Sequence, residues 1–415
     1  MLQKVKHQMG NFMPALRSRN YRLYFIGQGI SLVGTWMQTI AEQWLIYPVL
    51  TNNKSLLGIV SAINLAPTLL FVLFAGVMVD RIRKRTAFML FQIIYALIAL
   101  SMYVLVSTHT IQIWHIYVAA ALTGLVYAFD NPVRQTFMME LVDKKNLPSA
   151  LSLSSAMFNG ARAIGPAMAG ILIAVVGIAP AYLANSVSFI FVIGSLFLMK
   201  FPSRDIHVEQ VSILKGFSQG FSYVKENKHL ASLLLMTGIF TFFIWPLFTL
   251  LPVFAHDIFN KGELGFGLLQ TFFGIGAVIS GVTFSKVFER IQHKNSMPFI
   301  GMGVVSIVGF LFSWSPWFYF LLFLQLVNGW ATAMTFSTLS SLILIDAPDY
   351  MRGRMMSFYN FMFTAGLPAG ALVSSLGVAT IGAKPTVFTV AFMMVVTGIL
   401  LFFATRKSLS EKEYR

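Results

Sequence analysis

Gly76-Val-Met-Val-Asp80-Arg81-Ile-Arg-Lys-Arg85 ends one long apolar run, and Gly281-Val-Thr-Phe-Ser285-Lys286-Val-Phe-Glu-Arg290 ends another. The two align without a gap at an offset of 205 residues, about half of the 415-residue chain. A second correspondence, Leu151-Ser-Leu-Ser with Met355-Met-Ser-Phe, opens two later runs at nearly the same offset. Matching offsets at separate places predict two copies of one unit, arranged in parallel.

Composition says what that unit is made of. Hydrophobic residues are 57% of the chain, charged residues only 11%, and the mean hydropathy is +0.74. Soluble domains are about 25% charged, so an ordinary soluble enzyme is excluded. A helix needs about 20 apolar residues to cross about 30 Å of hydrocarbon. Runs of that length fall near 22–48, 56–79, 86–107, 113–141, 150–177 and 181–199, then near 230–254, 265–288, 297–314, 316–345, 355–380 and 385–404. The expected fold class is all-α integral membrane, with twelve transmembrane helices in two pseudo-symmetric six-helix bundles. Residues 1–199 form the first bundle, 200–229 a cytoplasmic linker and 230–415 the second bundle. The linker contains the amphipathic stretch Ile213–Lys225, expected to lie on the membrane surface. The first run is too long for a signal peptide and has no A-x-A site, so it is expected to stay as span 1.

Charge placement fixes the expected orientation. The formal net charge is +15. With both termini placed in the cytoplasm, 25 of the 30 Lys and Arg residues fall on that side, and only Lys54, Lys261 and Lys384 on the other. Arg134 and Arg162 lie within spans. This bias is the positive-inside pattern of a multi-pass protein in a cell inner membrane, and it removes nucleic acid as a partner. The chain has no Cys, no GxxxxGK[ST] phosphate loop and no His pair at metal-ligand spacing among His109, His115 and His256. No enzyme chemistry, cofactor, metal or nucleotide is therefore expected. The expected partners are a small-molecule substrate, protons and the lipid bilayer.

Gly76-x-x-x-Asp80-Arg81-x-x-x-Arg85 after span 2 of a 6+6 chain resembles the loop signature of the major facilitator superfamily. In span 5, Gly160-Ala-Arg-Ala-Ile-Gly165-Pro166-Ala-Met-Ala-Gly170 resembles the Gly-Pro motif of its antiporters. Arg352-Gly353-Arg354 is similar to the counterpart loop after span 10. Arg19-Asn-Tyr-Arg-Leu-Tyr-Phe, Gly34-Thr-Trp-Met-Gln and Ala128-Phe-Asp-Asn-Pro-Val-Arg134 look like the branch that contains the enterobactin exporter. The resemblance implies a proton-coupled transporter working by alternating access, with Asp80 meeting the start of span 11 and Arg81 and Arg85 holding it as a cytoplasmic gate. Two positions depart from the pattern. Ala120 stands where many relatives carry an arginine in span 4, and Ser285 replaces the aspartate in the second loop, so the charged gate is expected on one side only.

The residues carry their own physics. Gly76 lets two helices approach closely. A carboxylate at Asp80 suits the positive end of a neighbouring helix. Pro166 removes a helical hydrogen bond in mid-span, and Gly160, Gly165 and Gly170 flank it with a small-residue face. Asp130 and Arg134 in span 4 and Arg162 in span 5 are costly in hydrocarbon unless paired or wet. Counting from the cytoplasmic ends puts Asp130 and Arg162 at one depth, which predicts an ion pair between them, with Arg134 one turn from Asp130 on the same face. Glu42, beside Gln38, Gln43 and Trp44 in span 1, suits a group that gains and loses a proton as its surroundings alternate between dry and wet. Together Glu42, Asp130, Arg134 and Arg162 form the expected charge network for proton coupling. Trp36, Gln38, Gln43, Trp245, Gln270 and Asn328 are candidates to line a cavity. The expected function is export of a small hydrophobic or siderophore-like molecule. A proton-coupled importer, a lipid-moving transporter and a non-transporting membrane receptor or assembly partner are the alternatives.

Overall fold

The computed structural model describes residues 13–79, 82–200 and 213–413, and their side chains apart from 72–79, 213–218, 349 and 405–413. Among the described residues all regular structure is helical. The long helices are α1 (Arg19–Trp44), α2 (Ser55–Val79), α3 (Lys84–Ser107), α4 (Ile113–Glu140), α5 (Leu147–Val176) and α6 (Ala179–Leu198). After the short α7 (Ile213–Glu226) come α8 (Lys228–Thr249), α9 (Gly262–Arg290), α10 (Met297–Trp314), α11 (Phe318–Asp346), α12 (Arg352–Thr380) and α13 (Ala383–Glu413). Ten of these, α3–α6 and α8–α13, are long and apolar enough to cross a bilayer. The helices α1 and α2 have 26 and 25 residues, about 38 Å at about 1.5 Å per residue. Polar groups at Arg19, Arg22, Gln28, Gln38, Glu42 and Gln43 dilute α1.

Helix is the only economical choice here. In hydrocarbon every backbone N–H and C=O must be satisfied within its own segment. Rows of large apolar side chains point away from the protein, such as Val187, Ile190, Phe191 and Phe197 on α6. Such rows would be a liability in water but are neutral in lipid. Small residues set the helix spacing inside. A Cβ at Gly27 would fall 2.9 Å from Ser195 Oγ, and one at Gly34 would fall 2.6 Å from Ser188 Oγ, which is how α1 and α6 come together.

The two halves repeat one backbone detail. Helix α1 runs into a π-helical turn, Leu45–Thr51, closed by Asn52 at φ +49° with its N–H on the Tyr47 carbonyl at 2.8 Å. Helix α8 continues through Leu251–Val253 into a π turn, Phe254–Ile258, followed by Asn260 at φ +49°. Asn tolerates this left-handed conformation better than most residues. Short 3-10 turns, Lys144–Asn146 and Asp349–Met351, precede α5 and α12 at the offset of 205 seen in the sequence.

The residues before 200 and after 213 meet along two seams, α5 against α9 and α2 against α12. A Cβ at Gly170 would lie 3.0 Å from the Glu263 carbonyl oxygen, and one at Gly267 would lie 2.6 Å from that of Pro166. On the other seam Gly58 faces the Ala371 backbone, and Ser375 Oγ donates to the Ser55 carbonyl at 2.7 Å. These contacts lie in the part of each helix farthest from the termini, here termed the far end. The opposite, basic end carries the 3-10 turns and most of the Lys and Arg residues.

Candidate functional site

Asp130 stands ten residues before the end of α4 and is 3% exposed. Gln92 Nε2 of α3 donates to its Oδ1 at 3.1 Å, and Arg134 Nε lies 3.5 Å from its Oδ2. The pairing with Arg134, one turn away, is as expected. The pairing with Arg162 is not found. Helix α4 packs on α2 and α3, whereas α5 turns to α1 and α9, so the two helices joined by a short loop barely touch. The facing of the two helices rules that pair out. Tyr24, Tyr95 and Tyr127 surround the pair within electrostatic reach. Removing one partner of a buried pair typically costs about 3–5 kcal/mol, so Asp130 and Arg134 hold each other in place.

Arg162, midway along α5, sits among rings instead. Its guanidinium carbon lies 5.3 Å from the centre of Trp36, 5.1 Å from Phe248 and 4.3 Å from Phe273. Trp36 belongs to α1, but Phe248 and Phe273 come from α8 and α9 across the seam. Arg162 makes no ion pair or hydrogen bond with a described side chain, and its Nε is buried without an acceptor. An arginine at mid-membrane costs about 2.5–3.5 kcal/mol on insertion scales. Each desolvated cation–π contact returns about 1–2 kcal/mol, so three rings offset the cost without neutralising the charge.

Pro166 shapes this place. It lacks the N–H that would bond the Arg162 carbonyl, and Gly274 of α9 approaches that carbonyl, where a Cβ would fall 2.8 Å away. Gly165 seats Trp36, since a Cβ there would lie 2.5 Å from Trp36 Cβ, and Gly170 packs on α9. Gly160 has nothing near it. The expected small-residue face is therefore real at Gly165 and Gly170, and Gly160 is not part of it.

Glu42 makes no hydrogen bond or ion pair with a described residue. Tyr182, fully buried on α6, lies within electrostatic reach of it, and the Tyr182 hydroxyl is itself unsatisfied. Among the cavity candidates, Trp36 lies on Arg162, and Gln38 Oε1 accepts from Asn185 Nδ2 at 2.6 Å. Gln43 Oε1 is buried without a donor, and Trp245 Nε1 donates to Ser61 Oγ at 3.1 Å across the seam. Gln270 and Asn328 are 4% and 0% exposed. Asn328 is tied within α11 to Gln325 at 3.0 Å and Thr332 at 3.3 Å, so it packs the second half and opens on no passage here.

The gate residues Asp80 and Arg81 lie outside the described residues, and Gly76 is described by its backbone alone. Arg85 donates through a terminal nitrogen to the Leu196 carbonyl at 2.6 Å, in the last turn of α6 where the helix dipole is negative. Beside it Lys84 pairs with Glu140 at 2.5 Å. Both contacts lie within the first half.

The far end holds a latch that sequence reasoning missed. Asp257, in the second π turn, accepts from Tyr47 Oη at 2.6 Å and pairs with Lys54 Nζ at 2.6 Å, both from the first half. His256 Nδ1 lies 2.8 Å from the other Asp257 oxygen. Trp44 stacks on Phe266 alongside, with ring centres 6.1 Å apart. A second missed contact joins His229 and Asp346 at 2.8 Å, linking α8 to α11 at the basic end.

Comparison with known proteins gives this arrangement a context. The family described as transmembrane secretion effector matches residues 9–414. The staphyloferrin A transporter of Staphylococcus aureus is 26% identical over 93% of this chain and 96% of its own length. The multidrug efflux pump Tap of Mycolicibacterium fortuitum is 24% identical over 90% and 92%. Among solved structures, a bacterial homologue of the human lysosomal transporter Spinster, inward-facing and unoccupied, superposes with a TM-score of 0.76 at 9% identity, covering 95% of this chain and 98% of that one.

Proposed function

The chain belongs to the transmembrane secretion effector family of the major facilitator superfamily, a membrane transporter and not an enzyme, and we propose that it exports a small hydrophobic or siderophore-like molecule in exchange for protons. In this reading twelve helices span a cell inner membrane as two six-helix bundles, residues 1–199 and 230–415, tied by a linker at 200–229. The basic end faces the cytoplasm, as the distribution of Lys and Arg favours.

One observation carries the proposal. At the far end the two halves are tied by Tyr47 and Lys54 with Asp257, Ser61 with Trp245, and Ser55 with Ser375. Closure of the far end by such contacts supports alternating access, in which the two bodies part at one end at a time. Export, as opposed to import, is supported by the efflux pump among the relatives. Asp130 and Glu42 are the carboxyls placed to take up and release the proton. Asp130 does so by exchanging Arg134 for a proton, and Glu42 by alternating between the unpaired, half-buried state seen here and a hydrated one.

The test is reconstitution into liposomes loaded with a pH-sensitive dye and a panel of siderophores and drugs. A compound moving against its own gradient, with protons moving oppositely, is expected. Flux that is unchanged when the pH gradient is collapsed would refute proton coupling.

A further inference from the structure

We propose that Arg162, caged by Trp36, Phe248 and Phe273, anchors the acidic group of the substrate, and that the transported compound is a small organic acid with an aromatic or otherwise flat apolar part. This deepens the export reading above by naming the class of compound.

The charge is the first reason. Arg134, the other arginine deep within a span, has Asp130. Arg162 has three neutral rings and no described acid. A guanidinium presents a planar fork of donors that matches a carboxylate two bonds at a time, and among the described residues this fork has no acceptor. Access is the second. Nε is buried and unsatisfied, yet the residue as a whole is only half-buried, and its two terminal nitrogens are not among the sealed atoms. An oxyanion can therefore reach them beside the rings.

Position is the third. The cage takes Arg162 and Trp36 from one half and Phe248 and Phe273 from the other, so a ligand there touches both bodies that must move apart. Two turns along α1 from Trp36, on the same face, Gln43 offers a buried Oε1 that lacks a donor. It suits a hydroxyl or amide N–H elsewhere on the same molecule. A lipid headgroup carries the same oxyanion chemistry, but Arg162 stands at the midpoint of its helix, the depth of acyl chains, which favours a free acid.

The experiment uses the full-length protein in phosphatidylcholine nanodiscs with no gradient. Tryptophan fluorescence reports binding of benzoate, benzene-1,3,5-tricarboxylate and their neutral amides. The acids are expected to bind about tenfold or more tightly than the amides. Arg162→Gln should remove that preference, while Arg162→Lys keeps part of it. Equal affinity for acid and amide in the wild type, or an undiminished preference in Arg162→Gln, would overturn the assignment. If the Gln variant fails to fold, the acid–amide comparison in the wild type and in the Lys variant decides. Competition by phosphatidylglycerol in place of phosphatidylcholine would overturn the free acid in favour of a headgroup. Because binding is read without flux, failure of proton-driven export leaves this result standing, and loss of acid binding leaves export standing.

Discussion

The two halves share a backbone plan and differ in where they keep charge. At the offset of 205, Asp130 and Arg134 correspond to Thr335 and Leu339, and at the offset of 208 between the two left-handed asparagines, Glu42 corresponds to Leu250. Pro368 stands in α12 as Pro166 does in α5, and the residue four places before each is Thr364 in one and Arg162 in the other. The first half carries ionisable groups deep in its helices. The second answers with hydroxyls and leucines, and contributes the rings against Arg162 and the carboxylate of the far-end latch. The two halves repeat backbone features, and the groups that hydrocarbon tolerates poorly lie in the first. The other is free to act as a stable counter-surface.

The sharpest way to break this comparison is to neutralise a charge and its counterpart in parallel. Asp130→Asn strands Arg134, and gradient-driven transport should fall about a hundredfold or more with expression preserved. Thr335→Val, at the matching place, should stay within about twofold. Comparable losses in both would mean that the halves share the chemistry after all.

The next test concerns the seam. Gly267→Val places a side chain on the Pro166 carbonyl, and overpacking of about 1–3 kcal/mol should shift the population away from far-end closure by about tenfold or more. Gly160→Ala, which meets nothing, should change stability by less than about 0.5 kcal/mol. Because the chain has no native Cys, spin labels at Asn53→Cys and Lys261→Cys report the far-end distance directly. The same labels test the latch. Asp257→Asn weakens two charge-assisted contacts worth about 1–2 kcal/mol together at this half-exposed site, for a shift of several-fold up to about tenfold toward the open far end. An unchanged distance distribution would remove Asp257 from gating. The smallest expected change is in pH response. Glu42→Gln should lower transport about threefold and flatten its pH profile, because an amide cannot exchange a proton; a profile parallel to wild type would exclude Glu42 from coupling.

Much of this was legible because hydrocarbon imposes length. The runs read near 113–141, 150–177 and 316–345 became Ile113–Glu140, Leu147–Val176 and Phe318–Asp346. The Asp130–Arg134 pair was legible too, since helical spacing alone puts i and i+4 side by side. What sequence could not supply was facing. Neighbours in the chain, α4 and α5, are not neighbours in packing, and so the expected Asp130–Arg162 pair dissolved into a ring cage whose members lie 86 and 111 residues beyond the arginine. The far-end latch was hidden for the same reason. Tyr47 and Asp257 are 210 residues apart, in helix ends whose wide turns have no hydrophobic signature. One signal was available: Lys54 is among only three basic residues on its side, and a rare charge invites a search for its partner.

Those wide turns have a mechanical consequence. A π turn carries one residue more than an α turn needs, and tightening it would spin whatever lies beyond by about 100°. Tyr47 and Asp257 are both seated on such turns, one from each copy. Their bond is thus held between two swivels, able to unhook by rewinding a few peptide groups while the long rods behind them keep their shape.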